Sequence, residues 1–208
     1  MPTTATTATL DVSGLVVHRG GRTVLDGLDA TFPAGVVTAL TGPNGSGKSS
    51  LLDVLADVVR PTVGRVTGLP SDGVAHVTQS VPPTTLPLTV RATVSMGRWR
   101  HRAWWRPLGR ADRLVVDRQL ERMGITDLAD RQLDELSGGQ RQRTFVALGL
   151  AQRARVLLVD EPTAGVDTAS AALVVAALAE EATAGAVVVH AAHDRTAIAA
   201  ADRVVSLG

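Results

Sequence analysis

The chain has no cysteine and no tyrosine, only two phenylalanines and three tryptophans, and a single lysine among its 208 residues. Without cysteine there is no disulfide and no thiolate metal site, a usage that fits a reducing compartment. With aromatics at 2%, Ala, Val and Leu must fill the core. Long hydrophobic runs are also missing. The longest, Ala171–Ala179 and Ala184–Val189, stop at Glu180 and His190, well short of a membrane-spanning length. A soluble chain is expected, and any membrane role would need membrane-embedded partners. The stretch Met1–Thr7 lacks the basic start and apolar centre of a signal peptide. Net charge is +1, so no global field calls for nucleic acid or an acidic partner.

What is present centres on Gly42-Pro43-Asn44-Gly45-Ser46-Gly47-Lys48-Ser49-Ser50. The apolar run 36–40 before it reads as a buried strand. Leu51, Leu52 and Leu55 after it share one helix face. Strand, glycine-rich turn and helix carrying G-x-x-x-x-G-K-[ST] make a P-loop, a phosphate cradle. Glycines let successive N–H groups turn inward as an anion nest, and the new helix adds its positive end. Lys48 would reach the β- and γ-phosphates, and Ser49 would offer its hydroxyl to Mg²⁺. Lys48 is the one lysine in the chain, and a flexible ammonium suits this crowded cradle better than a planar guanidinium.

Length suits one α/β domain with an inserted subdomain. Residues from about 10 to 35 read as short strands interrupted at Gly14, Gly20-Gly21 and Gly27. Residues 36–80 hold the strand at 36–41, a helix at about 48–59 ended by Arg60-Pro61, and a strand at 74–78 leading to Gln79. After a proline-rich linker, about 86–154 forms a helical subdomain in which Val116, Leu120 and Met123 line one face. The core resumes over 155–208 with a buried strand at 156–159, helices at 168–182 and 194–201, and strands at 186–190 and 203–207. Alternating strands and helices imply a mostly parallel sheet.

Three further stretches carry chemistry. Val156–Val159 runs into Asp160-Glu161, at the strand end where ligands bind in such folds. Asp160 is placed to hold Mg²⁺, and Glu161 to polarise an attacking water. Ser137 and Gln140, in Leu136-Ser137-Gly138-Gly139-Gln140, have capping-box spacing for a helix whose apolar face includes Phe145 and Leu148. A cap alone does not require the adjacent glycines, which leave N–H groups open to an anion. His193 follows a third strand. A lone histidine is more often packed or solvated, but its position favours a site, while His190 is read as structural.

In this order the motifs resemble ABC-type ATPases over nearly the whole chain, with the Leu136–Gln140 signature the most specific. The resemblance implies a P-loop NTPase core with a mostly parallel sheet, an N-terminal antiparallel β subdomain and an inserted α-helical subdomain. It also implies ATP and Mg²⁺ as bound species. Gln79 would touch Mg²⁺ and relay to a membrane permease. Ser137, Gly138, Gly139 and Gln140 would close over ATP held by a second copy in a head-to-tail homodimer. Asp167 would lie in the loop crossing that interface, and His193 would sense the γ-phosphate. Where the family stacks adenine on an aromatic, this chain has Arg19, whose guanidinium plane can stack.

Leu86–Arg91, Met96-Gly97-Arg98-Trp99, Trp104–Pro107 and Ala164-Gly165-Val166-Asp167 look like the zinc/manganese importers, although iron-chelate importers share the Met-Gly-Arg part. The resemblance thus implies the ATP-hydrolysing subunit of a metal importer on the inner face of the membrane, served indirectly by an extracytoplasmic metal-binding protein. No regulatory C-terminal domain is expected. A haem, iron-chelate or export system is the alternative, and a soluble nucleic-acid ATPase a more distant one. Six arginines and all three tryptophans fall in 98–113; a surface near the permease and anionic lipid is expected there rather than nucleic-acid binding.

Overall fold

The computed structural model describes residues 9–71, 73–78, 87–101 and 107–208. Gln79, the linker at 81–86 and Trp104–Arg106 lie outside the described residues.

The chain opens with two long antiparallel strands, β1 (Thr9–Arg19) and β2 (Arg22–Pro33), joined at Gly20-Gly21. The short strands expected here are in fact continuous. Gly14 and Gly27 adopt positive φ of 56° and 66°, and the register shifts between Val12 and Leu15 and between Leu15 and Val17. A left-handed glycine inside a ladder makes a bulge rather than an end. Next come β3 (Val37–Thr41) and α1 (Lys48–Leu55). This helix stops sooner than its sequence suggests, because Asp57 turns left-handed at φ 57°. An unanticipated strand, β4 (Val63–Thr67), then pairs antiparallel with β1. Its residues are mostly exposed, so no apolar alternation announces it.

After β5 (Val74–Val77), the helices α2 (Val90–Met96), α3 (Arg110–Arg122) and α4 (Gly138–Ala151) follow, with short 3₁₀ turns around them. The expected face Val116, Leu120 and Met123 is buried. On α4 the buried positions are Thr144, Val146, Ala147, Gly149, Leu150 and Ala151, with Phe145 and Leu148 only half-buried. The stripe is rotated by about one residue from the expected one. The chain ends through β6 (Val156–Asp160), α5 (Thr168–Thr183), β7 (Val187–Ala191), α6 (Arg195–Ala199) and β8 (Arg203–Ser206).

Five strands form one parallel sheet in the order β5-β6-β7-β3-β8, beside the three-stranded antiparallel sheet β2-β1-β4. Alternate residues of each parallel strand feed different cores. Val156, Leu158, Val187 and Val189 join α1 and the antiparallel sheet. Leu157, Val159 and Val188 join α3, α4 and α5. Both faces are covered, which is why these strands are continuously apolar. Among the described residues Phe32 is the one fully buried aromatic; leucine, valine and alanine supply nearly everything else. No described helix is long and apolar enough to cross a membrane.

His190 interrupts the apolar β7. It is 2% exposed, its Nδ1 has no partner among the described residues, and burial pushes its pKa down to about 4. The folded state therefore holds it neutral, while the unfolded chain protonates it near pH 6.5. Between those values the unfolded state binds more protons, so stability is lost as pH falls through this window. Chemical denaturation at about pH 7.5 and about pH 5 should show a loss of about 2 kcal/mol from this group. His190→Val should flatten that dependence, and a variant with the same pH slope as the parent would contradict the assignment.

Candidate functional site

Parallel pairing brings the carboxyl ends of β6, β7 and β3 side by side. From β3 the chain enters Gly42–Gly47. Gly42, Gly45 and Gly47 have φ of 143°, 85° and 95°. A Cβ on Gly42 would lie 2.3 Å from the Leu207 carbonyl, and one on Gly47 2.6 Å from the Val24 carbonyl. Neither position has room for a side chain. The loop wraps the ammonium of Lys48, which is 7% exposed and donates to the carbonyl oxygens of Gly42 (2.8 Å) and Pro43 (3.0 Å). Gly47 caps α1 without any side-chain acceptor, so the first N–H groups of the helix are left for a ligand. Ser46 Oγ is buried with no partner among the described residues. A loop that offers the first N–H groups of a helix, a buried hydroxyl and an ammonium fits a phosphate chain.

From β6 come Asp160 and Glu161. Asp160 is buried and shares the α1 side of the sheet with Val156 and Leu158, two residues apart along the strand. Glu161 is held at φ 50°, a strained conformation of the kind found at functional sites. Several bonds hold it there. Its N–H donates to the Ala191 carbonyl (3.2 Å), and its own carbonyl accepts from Ala164 N–H (3.1 Å) and Gln142 Nε2 (3.4 Å). Its carboxylate, 15% exposed, lies 3.4 Å from Nδ1 of His193, which is 60% exposed. The loop carrying His193 is anchored by Asp194. That carboxylate accepts from Thr163 Oγ1 (2.6 Å) and from the Ala197 N–H at the start of α6 (2.8 Å). Burial pushes the Asp194 pKa up, but these hydrogen bonds and the charge of His193 outweigh it and hold the group below its ordinary value.

Val24, Asn44, Lys48, Ser49, Glu161 and His193 thus share one open cleft of about 520 Å³. Ser49 and Asp160 offer the oxygen ligands that Mg²⁺ favours. Among the described residues no three His, Asp or Glu side chains cluster around one point, and Mg²⁺ needs only one or two protein ligands when phosphate completes the set.

Other expected residues lie elsewhere. Ser137 and Gln140 form the anticipated capping box on α4, with Ser137 Oγ accepting from Gln140 N–H (3.3 Å) and Gln140 Oε1 accepting from Ser137 N–H (3.0 Å). Gly138 faces open space, and a Cβ on Gly139 would come 3.2 Å from the Gly165 carbonyl. Asp167 caps α5 through the N–H and hydroxyl of Ser170, whose bonds hold its carboxyl below the ordinary range. None of these residues lines the cleft. Nor does Arg19, whose guanidinium pairs with Asp53 of α1 at 2.5 Å. Val24 of β2 stands at the cleft instead. Gln142 and Thr163 carry no signal in the sequence, whereas Asp194 stands beside His193 after the strand and turns out to anchor its loop.

The fold and the cleft define a P-loop nucleotide-binding cassette. The sequence profile of the ABC transporter family matches residues 25–164, and the chain belongs to that family. It is 44% identical over 207 residues to the hemin import ATP-binding protein HmuV of Streptomyces coelicolor, covering 93% of this chain and 72% of that protein. Against the manganese transport system ATP-binding protein MntA of Synechocystis the identity is 38% over 175 residues, covering 78% and 67%. A metal-chelate type ABC transporter solved in an inward-facing conformation superimposes with a TM-score of 0.83 at 30% identity, covering 96% of this chain and 79% of that one. The chain spans about half the length of several other curated relatives, 54% of one and 42% of another.

Gly47→Ala tests the crowding of the loop. The variant should lose about 1–3 kcal/mol of stability through strain and the clash with Val24, read as a lower urea midpoint. An unchanged midpoint would mean the loop has room that its geometry denies.

Proposed function

We propose that this chain is the ATP-hydrolysing subunit of an ABC importer, acting as a head-to-tail dimer beneath a separate membrane permease. What carries the proposal is the single cleft shared by Lys48, Ser49, Glu161 and His193 at three adjacent strand ends. Lys48 and the loop amides hold the β- and γ-phosphates. Ser49 and Asp160 would hold Mg²⁺, which neutralises charge on the phosphate oxygens; Gln79 is assigned to the same task by its motif. Glu161 orients a water and accepts its proton as the water oxygen bonds to the γ-phosphorus. The bond to the bridging oxygen breaks, and ADP departs. His193, beside Glu161, reads the γ-phosphate. Ser137, Gly138, Gly139 and Gln140 do not line this chain's own cleft, which supports their role as the partner copy's contribution. Asp167 lies in the loop next to Gly139 and is assigned to the same interface. Association with the inner face of the membrane follows from docking to the permease. Nucleic acid is not an expected partner.

For the cargo we infer a metal. The wording around Met96-Gly97-Arg98 and Ala164–Asp167, together with the similarity to a manganese transport subunit, supports a divalent ion, zinc or manganese. The longer match to a hemin import subunit favours a second reading, a metal chelate such as haem.

Glu161→Gln should bind ATP, form a stable dimer in its presence and lower turnover by at least about a hundredfold, the usual value of a general base. Normal hydrolysis, or a monomer with ATP, would remove Glu161 from the role. Uptake of zinc, manganese and hemin by a strain lacking the protein should separate the cargo readings. Unimpaired uptake of all three would reject both.

A further inference from the structure

Two loops of the nucleotide cleft meet in a bond to which no step of the hydrolysis has been assigned. Thr163, two residues past Glu161, donates its hydroxyl to Oδ2 of Asp194, 31 positions further along the chain (2.6 Å). The acceptor is a carboxylate and the bond is short, the geometry of a charge-assisted contact. Both residues are half-buried.

Asp194 divides its oxygens between the two flanks of β7. Oδ1 accepts from the Ala197 N–H (2.8 Å) and caps α6, which lies against β3 and buries Ala197. Oδ2 takes Thr163, on the loop that leaves β6. Because β7 stands between β6 and β3, one side chain spans from one neighbour's side to the other. His193 is the residue immediately before it.

His193 has little else to hold it. Its side chain is 60% exposed, and its one ion pair among the described residues is with Glu161. The place of an exposed ring is set by the backbone that carries it, and here that backbone is fixed at Asp194. Glu161 and Thr163, for their part, belong to one tight turn, closed by the Ala164 N–H on the Glu161 carbonyl (3.1 Å). A bond to Thr163 is therefore a bond to the frame that carries the proposed base.

We infer that Thr163 is a positioning residue for ATP hydrolysis: through Asp194 it fixes His193 relative to Glu161 at the γ-phosphate. This rests on the reading of Glu161 as base and His193 as γ-phosphate sensor. Thr163 does not line the cleft, so it acts only through the two loops. The hydroxyl is what counts. Serine carries the same donor, whereas valine keeps threonine's volume and loses it.

Steady-state ATP hydrolysis by the full chain tests this. Thr163→Val should lower kcat by about tenfold, part of the roughly hundredfold that a 1 Å misplacement costs. Its KM for ATP should stay within about twofold of the parent's, since no binding contact is removed. Equilibrium ATP binding, which depends on the P-loop, should likewise be unchanged. Thr163→Ser should restore kcat to within about twofold of the parent. In a His193→Ala background, Thr163→Val should cost nothing further, because the residue through which it acts is gone. A parent-like kcat in Thr163→Val, a loss carried by KM or by ATP affinity, no restoration by serine, or the same loss again on top of His193→Ala would each overturn the inference. Glu161→Gln run alongside separates the two levels. Normal turnover there removes the base assignment and this inference with it; lost turnover there beside a parent-like Thr163→Val removes this inference alone.

Discussion

The insertion of β7 between β6 and β3 is the constraint on which the rest of this structure depends. Its backbone ladders to both neighbours put the three loops after Thr41, Asp160 and Ala191 at one edge. Each loop alone is chemically ordinary. Side by side they bring a glycine loop with its lysine, a carboxylate and a histidine to one cleft. The ladder even reaches into the site, since the Ala191 carbonyl that ends β7 takes the N–H of Glu161. Because the five strands of this sheet run parallel, their amino ends gather as well, at the opposite edge.

Order in the nucleotide cleft comes from backbone rather than from large side chains. Gly42 and Gly47 give up side chains so that the loop can press against Leu207 and Val24. Glu161 accepts an unfavourable φ, offset by its bonds to Ala191, Ala164 and Gln142. The last of these runs to α4, whose capped start carries the signature residues. The same α4 runs on to Ala151. One helix thus touches the loop of the proposed base and carries the surface proposed for a second copy.

Much of this was legible in the residue order. The P-loop, the strand into Asp160, the capping box at Ser137 and the helical face of Val116, Leu120 and Met123 all rest on local spacing, and local spacing survives folding. What was not legible depends on partners far along the chain. β4 is a strand only because β1 offers it an edge. Gly14 and Gly27 mark bulges rather than ends because both strands of the hairpin continue past them. Spacing aligns Arg19 with an adenine-stacking position, but only the fold shows that its guanidinium pairs with Asp53 of α1.

The sequence by itself determined the chemistry: a glycine loop that turns N–H groups inward, one lysine placed for phosphate, paired acids at a strand end and a capped signature helix. These are properties of neighbouring residues and of a backbone that has few conformations. Only the tertiary structure decided which of them meet. Sheet order brought Lys48, Glu161 and His193 together and left Ser137 and Asp167 outside, because strand pairing joins residues by hydrogen-bonded register rather than by distance along the chain.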